Sequence, residues 1–283
     1  MIATLVDQTQ SPFFNLVACG IGNAGRNALD RYQIYREDFA GMHFTMFDYP
    51  LEHIEDTSQQ ATLENLLNEC DCLLVFADPL LDLGASSYMW EFKEHISNLS
   101  RKPTYTFFVS PHDIGLSTNY RHFFTDNCKV IIAEDSTPLH AIMKIILPFV
   151  NGNRGCIGAD CADLFSLFAK YDQFYLVQSQ KSCTDDLLKE HPALLDNLRT
   201  EKETQGYVFS GMVVVGSMDH FVCLEDFETI VYNEVKYWNV DKDDMRCQLE
   251  FNIDLFDKTA TLTTLYCTMK TVKLSEDYYG NLA

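Results

Sequence analysis

Gly20-Ile21-Gly22-Asn23-Ala24-Gly25-Arg26-Asn27-Ala28-Leu29 directly follows the apolar run Leu16-Val17-Ala18-Cys19. An unbroken apolar run reads as a strand covered on both faces. Asn27 to Tyr35 then carries apolar residues near helical spacing, so the glycines occupy a strand-to-helix turn. In such a turn glycine lets the backbone fold tightly and approach a phosphate, while the start of the helix offers free N–H groups and a partial positive charge. Gly20, Gly22 and Gly25 are therefore candidate phosphate-binding positions. The same turn also forms without any ligand, and the pattern alone leaves both readings open.

Working outward, further apolar runs follow at His43 to Phe47, Cys72 to Phe76, Tyr105 to Val109 and Val130 to Ala133. Helical patterns at Leu63 to Glu69, Ser87 to Leu99 and Pro138 to Val150 lie between and after them. That alternation predicts an α/β fold with a parallel, doubly wound N-terminal sheet. The pattern breaks at Asn151-Gly152-Asn153-Arg154-Gly155. After it, Leu164, Leu167, Phe168, Tyr171, Phe174 and Tyr175 recur at the spacing of an amphipathic helix, read as a connector between two halves. Beyond lie a strand at Tyr207 to Val215, a helical Glu225 to Trp238, and Cys247 to Leu255, whose strict alternation predicts a sheet with one wet face. Thr259 to Met269 supplies a second strand after the turn Phe256-Asp257-Lys258. The expected division is a nucleotide-type domain over 1–158, a central helix over 159–182 and a smaller α+β domain over 183–283.

Twenty-one basic against 41 acidic residues give a formal charge of -20, which opposes a nonspecific grip on nucleic acid or anionic lipid. Met1 to Cys19 shows neither a basic leader nor an apolar membrane-length stretch, so a cytoplasmic protein is expected. The 10 cysteines lack paired metal-site spacing, and Cys70 and Cys72 read as reduced core residues on one side of a strand. The eight histidines sit singly.

A dinucleotide-binding reading asks for an acidic residue about 20 positions on, at the end of the second strand, and Asp48 stands there. An NAD-type oxidoreductase also needs a proton donor and an anion clamp in the second half, where no His-Asp or Arg constellation stands out.

Gly20 to Leu29 resembles the first nucleotide loop of the FtsZ/tubulin superfamily, with Asn27 and Ala28 the part that a dinucleotide enzyme does not require. Gly155-Cys156-Ile157-Gly158-Ala159-Asp160-Cys161-Ala162-Asp163-Leu164 resembles the loop that opens the central helix of FtsZ, typically Gly-Leu-Ile-Asn-Leu-Asp-Phe-Ala-Asp-Val. Ile132-Ala133-Glu134-Asp135 is similar to the Ile-Pro-Asn-Asp that ends a strand there, and the C-terminal order of strand, helix and hairpin matches as well. The resemblance implies GTP or GDP as ligand, with Mg²⁺ when nucleotide is bound. It implies that Asp160 and Asp163 form a catalytic pair reaching into the pocket of the next subunit, so that a weak GTPase acts across an interface. By themselves the two aspartates also read as a favourable charge pair at a helix start.

The departures are equally specific. Where FtsZ has Gly-Gly-Gly-Thr-Gly-Thr-Gly, this chain has Ala77-Asp78-Pro79-Leu80-Leu81-Asp82-Leu83-Gly84-Ala85-Ser86-Ser87-Tyr88. Gly84 survives, with Ser86 or Ser87 read as capping the following helix and offering hydroxyls. A carboxylate about 4 Å from a phosphate oxygen is repelled by roughly 4 kcal/mol per unit charge at an effective dielectric near 20, so Asp78 and Asp82 are read as hostile to phosphate. The ribose-contacting segment is represented by Val109-Ser110-Pro111-His112, with Arg121 at an unmatched register. The chain ends at Ala283 with no long tail of the kind that recruits membrane anchors, which counts against the usual division-ring role within the cell-division reading that the resemblance implies. The first expectation is a divergent FtsZ-like cytoskeletal protein that self-associates head to tail into filaments, with weakened, altered or lost GTP binding and hydrolysis. The alternatives are a nucleotide-free module that copolymerises with or regulates a true FtsZ, and the NAD-type enzyme.

Overall fold

The structure is a computed structural model, and it describes residues 2–6, 14–30, 42–50, 57–112, 128–133, 138–151, 161–171, 173–181, 207–217, 228–229, 232, 246–252 and 260–270. Along the chain these form β1 (Ile2–Val6), β2 (Phe14–Ile21), α1 (Gly22–Asp30), β3 (Met42–Tyr49), α2 (Thr57–Asn68), β4 (Cys72–Phe76) and α3 (Leu83–Ser97). There follow β5 (Tyr105–Ser110), β6 (Cys128–Ala133), α4 (Pro138–Asn151), α5 (Cys161–Lys170), β7 (Gln173–Lys181), β8 (Tyr207–Ser217), β9 (Arg246–Asn252) and β10 (Ala260–Lys270).

The unbroken apolar runs are the parallel strands. β3, β2, β4, β5, β6 and β7 lie side by side in that order, each parallel to its neighbour. Every residue of β4 is buried, as a strand with covered faces and two paired edges requires. β1 closes one edge, antiparallel to β3. On the other side β10 runs antiparallel to β7 and to β8, and β9 lies outermost, parallel to β8. The strand expected after the turn at 256–258 is present, but it forms no hairpin with its predecessor: β8 stands between β9 and β10. The helical reading of Glu225 to Trp238 lies almost wholly outside the described residues.

The helix expected over 159–182 is shorter. α5 ends at Lys170 and the chain re-enters the sheet as β7. Phe174 and Tyr175 continue the helical spacing by coincidence. Gln173, Phe174, Tyr175 and Leu176 are buried in succession, which means that both faces of β7 are covered here and the alternation of a half-exposed strand is absent.

The connecting helix is α4. Leu139, Ala141, Ile142, Met143, Ile145, Ile146, Phe149 and Val150 are all buried, so it is apolar around most of its circumference, as an interior helix must be. It touches α1 and α5 as well as β7, β8, β9 and β10. Beneath it Phe107 packs edge-on to Phe168 at 4.6 Å and to Phe174 at 5.7 Å between ring centres. Each such buried ring contributes about 1.5–3 kcal/mol relative to an exposed one. The Lys129 ammonium, on β6, donates to the Tyr171 carbonyl just beyond α5 and so ties that helix end to the sheet.

Cys19, Cys70, Cys72 and Cys267 are buried free thiols. The Cys70 thiol donates to the Cys72 carbonyl at 3.1 Å. Among the described residues no helix is long and apolar enough to cross a membrane.

Candidate functional site

The strand register builds the site. Asp48, Gly20, Phe76, Val109 and Ile131 lie in one row across β3, β2, β4, β5 and β6. At or just after this row the strands give way to turns, and the crevice outside the carboxyl ends of parallel strands is where ligands bind in such sheets.

The glycine turn occupies one side of that crevice. Gly22 has φ +69, a left-handed conformation that favours glycine, and it opens α1. Gly20 and Gly25 face one another: a Cβ on Gly20 would lie 2.9 Å from the Gly25 carbonyl. A Cβ on Gly25 would collide with the Phe76 carbonyl oxygen, so this glycine is what lets α1 settle against β4. Two of the three glycines are thus required by packing, independent of any ligand.

The segment after β4 occupies the other side. Asp82, not Ser86 or Ser87, caps α3: its Oδ1 accepts from the Ala85 N–H at 3.2 Å. The serines lie inside the helix, Ser86 half-buried and Ser87 exposed, and the Ser86 N–H donates to the Asp82 carbonyl. Gly84 is exposed in the first turn, where a Cβ would sit 3.2 Å from Asp82 Oδ1. Asp82 Oδ2 meanwhile accepts from the Asn23 N–H at 3.2 Å, across the crevice on α1. Asp78 is buried; its Oδ1 accepts from the Leu81 N–H at 3.3 Å, and its Oδ2 lies 3.3 Å from His112 Nδ1. The two aspartates read as hostile to phosphate therefore have structural partners, which the charge argument alone did not anticipate. The signal available in the sequence was a residue with high N-cap preference immediately before a helical pattern.

Beside the turn, between α1 and the carboxyl ends of β4, β5 and β6, is a cavity of about 200 Å³, lined among others by Ala24, Asn27, Ala28, Ser110, Pro111 and Pro138. Its lining is mostly apolar, with the Asn27 amide as a polar handle. Ligand pockets for whole drug-sized molecules run to about 300–1,000 Å³, so this space is smaller than a site that encloses a ligand of that size. The phosphate side fits less well, because the Asp82 carboxylate lies between the two helix starts that would receive an anion. Asp48 pairs with Gly20 across the β3/β2 ladder. Cys19, beside Gly20, has its thiol pushed up by burial and then by Asp48, so it stays neutral and unreactive. Among the described residues no cluster of His, Cys, Asp and Glu has the makings of a metal centre.

Asp163 does not join this crevice. It is exposed in the first turn of α5. Phe165, two residues on, stacks on Phe14 at 5.7 Å and on Tyr105 at 5.3 Å, and its carbonyl accepts from the Tyr105 hydroxyl at 3.1 Å. Phe14 and Tyr105 are the first residues of β2 and β5, whereas the crevice lies at their last residues. A strand of 8 residues spans roughly 25 Å, so the aspartate helix and the glycine turn sit at opposite ends of the sheet. Asp160 and Arg121 lie outside the described residues.

No protein-family model matches the sequence, and the curated proteins give no significant match. Solved structures do match. An FtsZ dimer from M. jannaschii aligns with TM-score 0.54 and 11% identity over 92% of this chain and 89% of its own. GDP-form protofilaments of TubZ from Bacillus thuringiensis serovar israelensis align with TM-score 0.58 and 12% identity over 90% of this chain and 89% of theirs. The GDP-bound monomer of CetZ1 from Haloferax volcanii gives TM-score 0.53 and 13% identity over 89% and 93%. Identities this low carry the architecture and nothing finer, and on that architecture the chain has an FtsZ/tubulin-like fold.

Proposed function

We propose that this chain is a cytoskeletal protein of the FtsZ/tubulin kind that associates with itself head to tail in the cytoplasm, with GTP or GDP binding weakened and any GTPase activity acting between subunits. The observation that carries the reading is the placement of the two resembling motifs. The glycine turn and the helix bearing Asp163 lie at opposite ends of one sheet, so they cannot meet within a chain. They meet when the bottom of one subunit sits on the top of the next. Such a heterologous contact produces open filaments unless rotation closes it. Solved relatives in fold include a dimer and protofilaments, which supports self-association.

A second reading is favoured by Asp82. With a carboxylate between the helix starts, the fold holds its crevice together without nucleotide and serves as an interaction module for a true FtsZ.

The test is light scattering and electron microscopy of wild type and of the Asp160→Ala, Asp163→Ala double variant, with and without Mg²⁺ and GTP. Wild type assembles, and more readily with salt or divalent cations, because the charge of -20 opposes close approach of identical subunits. The double variant folds and assembles differently. A wild type that stays monomeric at every concentration, alone and mixed with an FtsZ from its own organism, ends the polymer reading.

A further inference from the structure

α1 begins at Gly22 and α3 at Leu83, and the first turn of each carries N–H groups with no acceptor inside its own helix. One carboxylate serves both. Asp82 Oδ1 takes the Ala85 N–H and Asp82 Oδ2 takes the Asn23 N–H, each at 3.2 Å. An anion held by backbone N–H groups at helix starts is the arrangement in which proteins bind phosphate. Here the anion belongs to the chain.

The segment that carries the carboxylate is itself anchored. The Asp82 N–H donates to the Asp78 carbonyl at 2.9 Å, and Asp78 itself is buried with Leu81 and His112 as partners. At the root of the segment the Ala77 N–H donates to the Val109 carbonyl at 3.0 Å. The fit at Gly22 is equally close: a Cβ there would lie 2.5 Å from Asp82 Oδ2. A phosphate entering the same space would have to displace Asp82 from both donors and then face its charge at short range.

We propose that Asp82 is a specificity-determining residue, an intrachain substitute for a ligand's phosphate that keeps the starts of α1 and α3 joined and excludes phosphate and pyrophosphate from the crevice. The proposal rests on reading this crevice as a nucleotide-type site. It needs no assembly, so its test stands apart from the filament test. The loss of glycines after β4 then has a positive counterpart: the segment that no longer wraps a ligand's phosphate supplies an anion of its own.

The experiment is thermal unfolding of the full chain with inorganic pyrophosphate, against sodium chloride at matched ionic strength, for wild type, Asp82→Ala and Asp82→Asn, with calorimetry for affinity. Wild type does not respond to pyrophosphate beyond the salt control. Asp82→Ala melts lower by roughly 2–4 °C, as loss of a helix cap predicts, and pyrophosphate restores part or all of that loss. Its affinity for pyrophosphate exceeds that of wild type by at least about ten-fold. Asp82→Asn keeps an oxygen for the α3 cap but has only one, and it too gains a pyrophosphate response. Pyrophosphate stabilising wild type as strongly as Asp82→Ala would overturn the proposal, because the seat would then be open already. So would a folded Asp82→Ala, judged by circular dichroism, that ignores pyrophosphate. If Asp82→Ala does not fold, Asp82→Asn decides by the same two criteria; failure of both to fold shows that the carboxylate is a core element and not a replaceable anion, and also overturns it.

Discussion

The α-carbon of Gly25 packs so closely on the carbonyl oxygen of Phe76 that no side chain fits between α1 and β4. Gly25→Ala must push backbone against backbone, which no rotamer change relieves. We expect a loss of about 1–3 kcal/mol in urea unfolding, in the range found for overpacking. The loss is the same with and without nucleotide. A variant as stable as wild type would show that α1 is not held by this contact.

Gly22→Ala combines two costs. Its φ of +69 disfavours any Cβ by roughly 1–2 kcal/mol, and the new atom meets Asp82 Oδ2. In a double-variant cycle with Asp82→Ala the clash with the carboxylate disappears, while the approach to Ala85 Cβ at 3.0 Å and the conformational part stay, so the two substitutions are less harmful together than their sum. Strict additivity in denaturant titrations would contradict the Gly22/Asp82 contact.

Calorimetry with GTP and Mg²⁺ gives a dissociation constant weaker than about 1 μM, corresponding to less than roughly 8 kcal/mol of binding. A submicromolar value would mean that the segment from Ala77 to Gly84 rearranges into a phosphate nest. A fluorescence titration with NADH stays flat at micromolar concentrations. The parallel strands run in the order β3-β2-β4-β5-β6-β7, and among the described residues β1 holds the place beside β3 that a third parallel strand takes in the dinucleotide fold.

Alkaline pH destabilises the fold. Cys19, Cys70 and Cys72 have thiols pushed up chiefly by burial, and Tyr49 has its hydroxyl pushed up by burial and by Glu91, to which it donates at 2.8 Å. Each group stays protonated in the fold after its unfolded counterpart has ionised. Their contribution is therefore complete below the unfolded thiol value of 9.0 and is lost as pH rises toward the folded values. Lys93, pushed down by burial, acts in the opposite sense and only blunts the effect. Urea midpoints fall between about pH 8 and pH 10.5, and Cys72→Ala makes the fall shallower.

Phe107→Ala removes a ring at the junction of β5, α4 and α5, where Phe168 and Phe174 close around it. The cost is about 3–5 kcal/mol, because the surrounding strands cannot collapse into the space. A loss below about 1 kcal/mol in chemical denaturation would mean that α4 shifts to fill it.

The parallel half was legible because burial on both faces writes itself as unbroken apolar runs. Cys72 to Phe76 is β4 to the residue, and Pro138 to Val150 is α4 less its last residue. What misled the reading was the same uniform burial further on. Leu164, Phe168 and Tyr171 mark α5 and its end, and Phe174 continues their spacing into β7, where Phe174, Tyr175 and Leu176 are buried in succession and show no strand alternation. The role of α4 as connector was hidden because a helix buried on most sides has no polar face to show which layers it joins. At the site, the glycines were legible as a turn but their causes were not: Gly25 answers to Phe76, 51 residues away in sequence, and Gly22 to Asp82. Asp82 was legible as a charge and missed as a cap, since repulsion needs only proximity whereas capping needs the start of α3 to be placed.

β7 is paired along four residues with β6 and along nine with β10. The N-terminal parallel strands and the C-terminal antiparallel ones are therefore welded through a single beam instead of being hinged by a linker. A pull applied lengthwise to that beam loads its ladders in shear, with many hydrogen bonds sharing the tension at once. Tension along this strand therefore reaches both halves of the sheet together, with no slack linker between them to give way first.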